Sequence, residues 1–289
     1  MNTADLPPLV IVAGPTAAGK SAYAVRLAEQ HDGVIVNADS MQLYRDLRVL
    51  TARPSPAEEV SVPHRLYGCL DGSEAGSAAR WAALAHDEVE HAWSRGQTPI
   101  VVGGTGLYLR TLLYGIAPVP PIDEAIRAEV RAMSTADARA ALEREDGAVA
   151  ARLAPADTAR TMRALEVRRA TGRSILAWRT DNAGGLAPRA RVSAQVVDVP
   201  TAELHVRIAR RVARMLDDGA VEEVAGLLGR GLDPSLPVMR AIGVRAIAAL
   251  LAGSSNMGDV QASMIADTRR YAKRQRTWFA HQAPDWERV

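Results

Sequence analysis

The chain has 289 residues, 48% of them hydrophobic and 24% charged, the proportions of a folded globular protein and not of a disordered one. A net charge of +2 and the lack of a long apolar run argue against a membrane protein, and the single cysteine, Cys69, excludes an internal disulfide. The N-terminal MNTADLPPLVIVAG shows no leader signal, so a cytoplasmic location is expected; a monomer is the expected state, though nothing in the sequence fixes it.

Taken in order, the apolar run LVIVAG, the glycine-bearing GPTAAG and then KSAYAVRLAEQ read as strand, loop and amphipathic helix. A second buried strand is GVIVNAD. Cys69 has no nearby His or CxxC partner and reads as a small buried packing residue. A helix is expected over Ser77 to Arg95, followed by a third strand in TPIVVGGTG and a helix starting near Leu107, which the prolines of APVPPIDEA should end. From about Ile122 to Trp178 every pattern is helical and rich in arginine, closed by DNAGGLAPRA. The strand VSAQVVDV then resumes the sheet, and four helical stretches complete the chain. Short apolar strands alternating with helices predict an α/β fold with a parallel sheet flanked by helices, and the GPTAAGKS loop after the first strand makes it P-loop NTPase-like. The interruption predicts an all-helical insertion over residues 120–190 in a core made of 1–119 and 191–289.

GPTAAGKS, Gly14 to Ser21, fits G-x-x-x-x-G-K-[ST] between a strand and a helix. Backbone N–H groups there converge on phosphate oxygens, the helix N-terminus adds partial positive charge, Lys20 a full one, and the Ser21 hydroxyl reaches Mg2+. Asp39, after GVIVNAD, is the acidic residue placed nearest this loop, and serves either as a proton acceptor or as a turn-forming residue. The basic residues are arginines except for Lys20 and Lys273, and they cluster: seven arginines lie between Ala151 and Thr180, and five basic residues lie in TRRYAKRQR. Such clusters suit nucleic-acid phosphates. A metabolite kinase using Asp39 toward a hydroxyl explains the loop equally well but leaves the arginine clusters without a role. A nucleotide-binding adaptor leaves Asp39 and GGTGLY without one.

The blocks GPTAAGKS, NADSMQLYR, TARP, PHRLYG, VVGGTGLYLR, RTMRALEV, ELHVRI, MRAIGVR and AKRQRTWF resemble, in order, those of the bacterial tRNA dimethylallyltransferases, also called tRNA isopentenyltransferases. The resemblance implies a P-loop core whose helical insertion grips the tRNA anticodon stem-loop. It implies transfer of a dimethylallyl group from dimethylallyl diphosphate to the exocyclic amine of the adenosine 3′ of the anticodon, in tRNAs reading codons that begin with U, with the acceptor base turned into a channel. On that resemblance Asp39 is the base, Arg207 sits at the diphosphate and Thr105 approaches the reacting adenosine. Gly14, Pro15, Thr16, Ala17, Ala18, Gly19, Lys20 and Ser21 line the diphosphate, with magnesium at Ser21. The tRNA contacts are Asp39, Ser40, Met41, Gln42, Thr105, Arg127, Arg160, Thr161, Met162, Arg163, Arg240 and Arg245. Two departures stand out: Leu50 replaces the glycine that often precedes TA[KR]P, and no Cys/His cluster near the C-terminus supplies the zinc finger of some eukaryotic relatives.

Overall fold

A computed structural model describes residues 5–289; Met1 to Ala4, part of the segment read above for a leader, lie outside the described residues. Contacts divide the chain into two compact units, one running to Leu113 and resuming over Leu186–Val289, the other Tyr114–Gly185. The first unit begins with β1 (Pro8–Ala13), α1 (Lys20–Gln30), β2 (Gly33–Asn37), α2 (Pro56–Ser61), β3 (His64–Arg65), α3 (Ala78–Ser94), β4 (Thr98–Gly103) and α4, which runs over Gly106–Tyr114. The second holds α5 (Glu124–Ala132), α6 (Thr135–Glu145), α7 (Gly147–Ala150), α8 (Thr158–Thr171) and α9 (Ile175–Trp178). The first unit then resumes with β5 (Arg191–Val196), α10 (Thr201–Asp217), α11 (Ala220–Gly229), α12 (Val244–Leu251), α13 (Met257–Gln282) and β6 (Glu287–Arg288).

The six strands form one parallel sheet in the order β3-β2-β4-β1-β5-β6. Alternate side chains of a strand leave on opposite faces, and here both faces are covered, which is why the central strands are apolar throughout. Leu9, Ile11 and Ala13 of β1 join a core with Trp81, Ala85 and Val89 of α3, Leu109 and Leu112 of α4, and Leu204 and Ile208 of α10. Val12, Ile35, Ile100 and Val102 meet Ala24 and Ala28 of α1 on the other side. Each of the larger side chains stabilises the fold by about 1.5–3 kcal/mol on burial. The short edge strands β3 and β6 carry polar sequences, His64–Arg65 and Glu287–Arg288, and have no apolar run to betray them.

Two local readings need correction. The helix after β4 stops at Tyr114, ahead of the prolines, because Gly115 takes φ +77° and a Cβ there would lie 2.1 Å from the Ala183 carbonyl oxygen. Its backbone pairs onward through the Ile116–Ala183 bridge, so the second unit runs over 114–185 where 120–190 was expected. Cys69 is exposed, not buried. The second unit has a core of its own, with Val130, Leu142, Val149, Ala164 and Leu165 from four helices, and contributes none of the six strands among the described residues. No helix among the described residues is long and apolar enough to cross a membrane.

The Leu186 N–H donates to the Leu112 carbonyl at 2.9 Å, so the chain leaves and re-enters the first unit at adjacent points. A chain in which residues 114–185 are replaced by a short glycine linker should therefore retain a single cooperative unfolding transition, measured by urea denaturation and far-UV dichroism; a non-cooperative transition would show that the first unit depends on the second.

Candidate active site

Parallel strands present their carboxyl ends on one edge, and the loops leaving β1, β2 and β4 converge there. The loop after β1 is Gly14–Gly19, with Lys20 opening α1. Ala17 adopts φ +65° and Gly19, at φ +107°, caps α1. The Lys20 ammonium donates to the Pro15 carbonyl at 2.7 Å, closing the loop on itself. Burial pulls Lys20 down to about 8, with Asp39 opposing that shift and Arg211 adding to it. Ser21, in the first turn of α1, is exposed.

The loop after β2 carries Asp39. Its N–H donates to Asn37 Oδ1 at 2.8 Å, and its own Oδ1 accepts from the Met41 N–H at 2.9 Å. Turn-forming and chemistry are therefore compatible in one residue: one carboxylate oxygen closes the turn, while the side chain lines the cavity. The turn rests on Asn37, which is fully buried and donates to the carbonyls of Asp39 and Leu66. The Asn37 carbonyl in turn accepts from Trp81 Nε1 at 2.7 Å. The loop after β4 delivers Thr105, whose Oγ1 accepts from the Ser40 N–H at 3.1 Å and whose own N–H reaches the Ala38 carbonyl. Tyr271 of α13 lines the cavity beside them, and its phenol is pushed upward by burial and by the Asp39 charge.

From α10, Arg207 arches over the loop, donating to the Ala18 carbonyl at 2.9 Å while pairing with Glu203 at 2.6 Å. Arg211, one helical turn on, enters the cavity and donates to the Thr51 carbonyl at 3.2 Å. Its guanidinium is lowered by burial, a shift that Asp39 opposes, and it stays charged. The cavity of about 270 Å³ joins Thr16, Asp39, Ser40, Thr51, Arg211 and Tyr271 to an apolar wall of Leu50, Val212, Met215, Ala241, Ile242 and Met264. Glu223 fixes that wall, accepting from the N–H groups of Arg48, Val49 and Leu50, which settles the path of the loop at Leu50. An adjoining cleft of about 830 Å³ is lined by Arg240, Arg245, Arg270 and Arg274, and shares Arg240 and Arg274 with the cavity.

The remaining candidates are placed as follows. Met41 lines the cavity, but the Gln42 amide turns inward to the carbonyls of Thr51 and Ala52, which occupies its donors. In the second unit Arg160 and Arg163 lie on the exposed side of α8, paired locally with Asp157 and Glu166, and Arg127 pairs with Glu124. Thr161 is 1% exposed, so its side chain offers no surface to a ligand, and Met162 packs against the unit's core. Asn37, Arg211, Glu223 and Gln275 were not singled out from sequence. For Arg211 a signal existed, since residues four apart share a helix face and Arg207 was already assigned.

Fold and cavity together define a P-loop α/β protein that sets a phosphate cradle beside a carboxylate and an apolar wall. A model of the family described as IPP transferase matches residues 42–282. The chain is 56% identical to a tRNA dimethylallyltransferase of Erythrobacter litoralis, covering 99% of this chain and 92% of that one. It is 54% identical to a tRNA dimethylallyltransferase of Sphingopyxis alaskensis, covering 97% and 92%. Among solved structures it resembles the tRNA isopentenylpyrophosphate transferase of Bacillus halodurans, with TM-score 0.69, 30% identity and coverage of 98% of this chain and 89% of that one. It also resembles a eukaryotic dimethylallyltransferase acting on tRNA, with TM-score 0.83, 26% identity and coverage of 94% and 70%. The chain belongs to the IPP transferase family.

The lowered Lys20 gives a pH dependence whose sign follows from linkage. A bound anion favours the charged ammonium, so affinity for a diphosphate should be constant below about pH 8 and fall by about tenfold per unit above it. Titration calorimetry across pH 7 to 10 checks this. Lys20→Arg, whose guanidinium stays charged, should abolish the dependence.

Proposed function

We infer that the protein transfers a dimethylallyl group from dimethylallyl diphosphate to the exocyclic amine of the adenosine 3′ of the anticodon, in tRNAs reading codons that begin with U, and acts as a cytoplasmic monomer. The observation carrying this reading is the single cavity in which Thr16 of the phosphate loop, Asp39 and Arg211 face an apolar wall. That lining suits a ligand with a diphosphate at one end and a short hydrocarbon at the other.

The adenine amine is a weak nucleophile because its lone pair is delocalised into the ring. Acceleration must come from stabilising the leaving group and accepting a proton. As the C1–O bond breaks, the diphosphate takes the bonding electrons, and its growing charge meets Lys20, Arg207, Arg211 and the backbone N–H groups of the loop. As the C1–N bond forms, the amine proton passes to the Asp39 oxygen not engaged by Met41. Tyr271 borders the same space and orients the adenine, and Thr105 holds the Ser40 N–H at the edge of the Asp39 turn. The base must leave its stack to reach a cavity set into the protein. The arginines of the adjoining cleft, Arg240 and Arg245, take backbone phosphates, and the exposed Arg160 and Arg163 of the second unit contact the anticodon stem-loop.

Magnesium fits this site in a limited way. No group of three His, Cys, Asp or Glu side chains able to hold a metal exists among the described residues, which rules out an all-protein cage there. Magnesium does not require one, since it keeps waters and binds through one or two protein oxygens together with substrate phosphates. The exposed Ser21 hydroxyl is such an oxygen, and the ion would neutralise charge on the diphosphate.

Labelled dimethylallyl diphosphate and labelled ATP, each incubated with the protein and bulk tRNA, test the reading: allyl label should enter tRNA, and phosphate label should enter neither tRNA nor a small acceptor. Asp39→Asn should lower kcat by about a hundredfold with both substrates still bound, as followed by single-turnover kinetics and filter binding. Near-normal turnover would leave Asp39 a turn residue only. Arg160→Ala with Arg163→Ala should raise KM for tRNA, spare that for the allyl diphosphate and flatten the salt dependence of tRNA binding.

A further inference from the structure

Gln275 is 4% exposed and sits within a run of basic residues on α13, most of them exposed. Its carboxamide makes two hydrogen bonds far apart in sequence. Oε1 accepts from the Thr16 N–H of the phosphate loop at 2.8 Å, and Nε2 donates to the Gly104 carbonyl at 3.0 Å. Only this orientation of the amide satisfies both partners, one a donor and the other an acceptor. Gly104 is shaped around it: a Cβ there would lie 1.9 Å from Gln275 Nε2.

The residues that Gln275 joins belong to the two halves of the site. Thr16 is part of the loop that cradles phosphate. Gly104 precedes Thr105, whose side chain holds the Ser40 N–H and whose N–H holds the Ala38 carbonyl, on either side of Asp39. We propose that Gln275 is a positioning residue for group transfer, setting the separation between the diphosphate cradle and the Asp39 turn by bridging the Thr16 N–H and the Gly104 carbonyl. It touches no substrate. It also removes the Thr16 N–H from the set of donors facing phosphate, so the cradle is built from the amides that follow. Group transfer is sensitive to this separation, because the attacking nitrogen and the departing oxygen must lie in line on opposite sides of one carbon while Asp39 reaches the amine proton.

The proposal rests on the transferase reading and is tested with the full-length protein and tRNA. Gln275→Leu keeps approximate size and loses both bonds. Gln275→Glu keeps the acceptor toward Thr16 but sets a carboxylate against the Gly104 carbonyl until it is protonated. For both variants kcat should fall by about a hundredfold, with KM for tRNA within about twofold of the parent and thermal unfolding still cooperative. For Gln275→Glu the ratio of its kcat to the parent's at the same pH should rise as pH falls from 8 to 6, because the protonated carboxyl regains a donor for Gly104. A role in folding alone would make kcat fall and recover only in step with thermal stability measured at the same pH. Parent-like kcat in both variants, or a kcat that follows thermal stability at every pH, would overturn the proposal. An inactive parent protein would instead overturn the transferase reading.

Discussion

Asp39 acts on two buried cations, Lys20 of the phosphate loop and Arg211 of the cavity, and burial weakens the hold of each on its charge while the carboxylate restores it. This mutual dependence governs the rest of the site. An entering diphosphate brings more negative charge to the cations and so competes with Asp39 for them. Asp39 must be close enough to share their field, yet held back from collapsing onto them or repelling the diphosphate. The Asn37-supported turn, the Thr105 contact to Ser40 and the Met41 N–H meet that demand with hydrogen bonds from neutral groups, which position a carboxylate without neutralising it.

The parallel sheet makes this economical. Three neighbouring strands end on one edge, so a phosphate loop, a carboxylate turn and a glycine turn face one another without a long connection between them. The helices then add what the strands cannot: α10 brings two arginines on one face, α11 supplies Glu223 to pin the wall at Leu50, and α13 supplies Tyr271 and Gln275. Each contribution is one or two side chains on an otherwise ordinary packed helix.

The central strands, the phosphate loop and the position of Asp39 were legible in the sequence because their signals are local: an apolar run bounded by glycine, a fixed spacing, an acid just past a strand. The edge strands were not, since two polar residues carry no periodicity. The end of α4 was misplaced because prolines are the louder signal, whereas the stop comes from Gly115 meeting a carbonyl 68 residues away in the chain, at Ala183. Asn37, Glu223 and Gln275 escaped for a common reason. A pattern shows which face of an element turns inward but not which partner it finds there, and for these polar residues the partner decides the role. Thr161 shows the converse, since a residue inside a basic block read as a contact surface is sealed in its unit's core.

The bond from Thr16 to Gln275 spans 259 positions of the chain, and β1 pairs with β5 across the whole of the second unit. Synthesis proceeds from the N-terminus, so the phosphate loop leaves the ribosome first and waits for nearly every other residue before its last partner arrives. The helical unit, whose contacts are local, can fold in the interval. A nascent chain thus holds an exposed β1 edge until β5 emerges and an unfinished cradle until α13 does, and any chain cut short before Gln275 carries the complete phosphate-binding motif without the contact that fixes it.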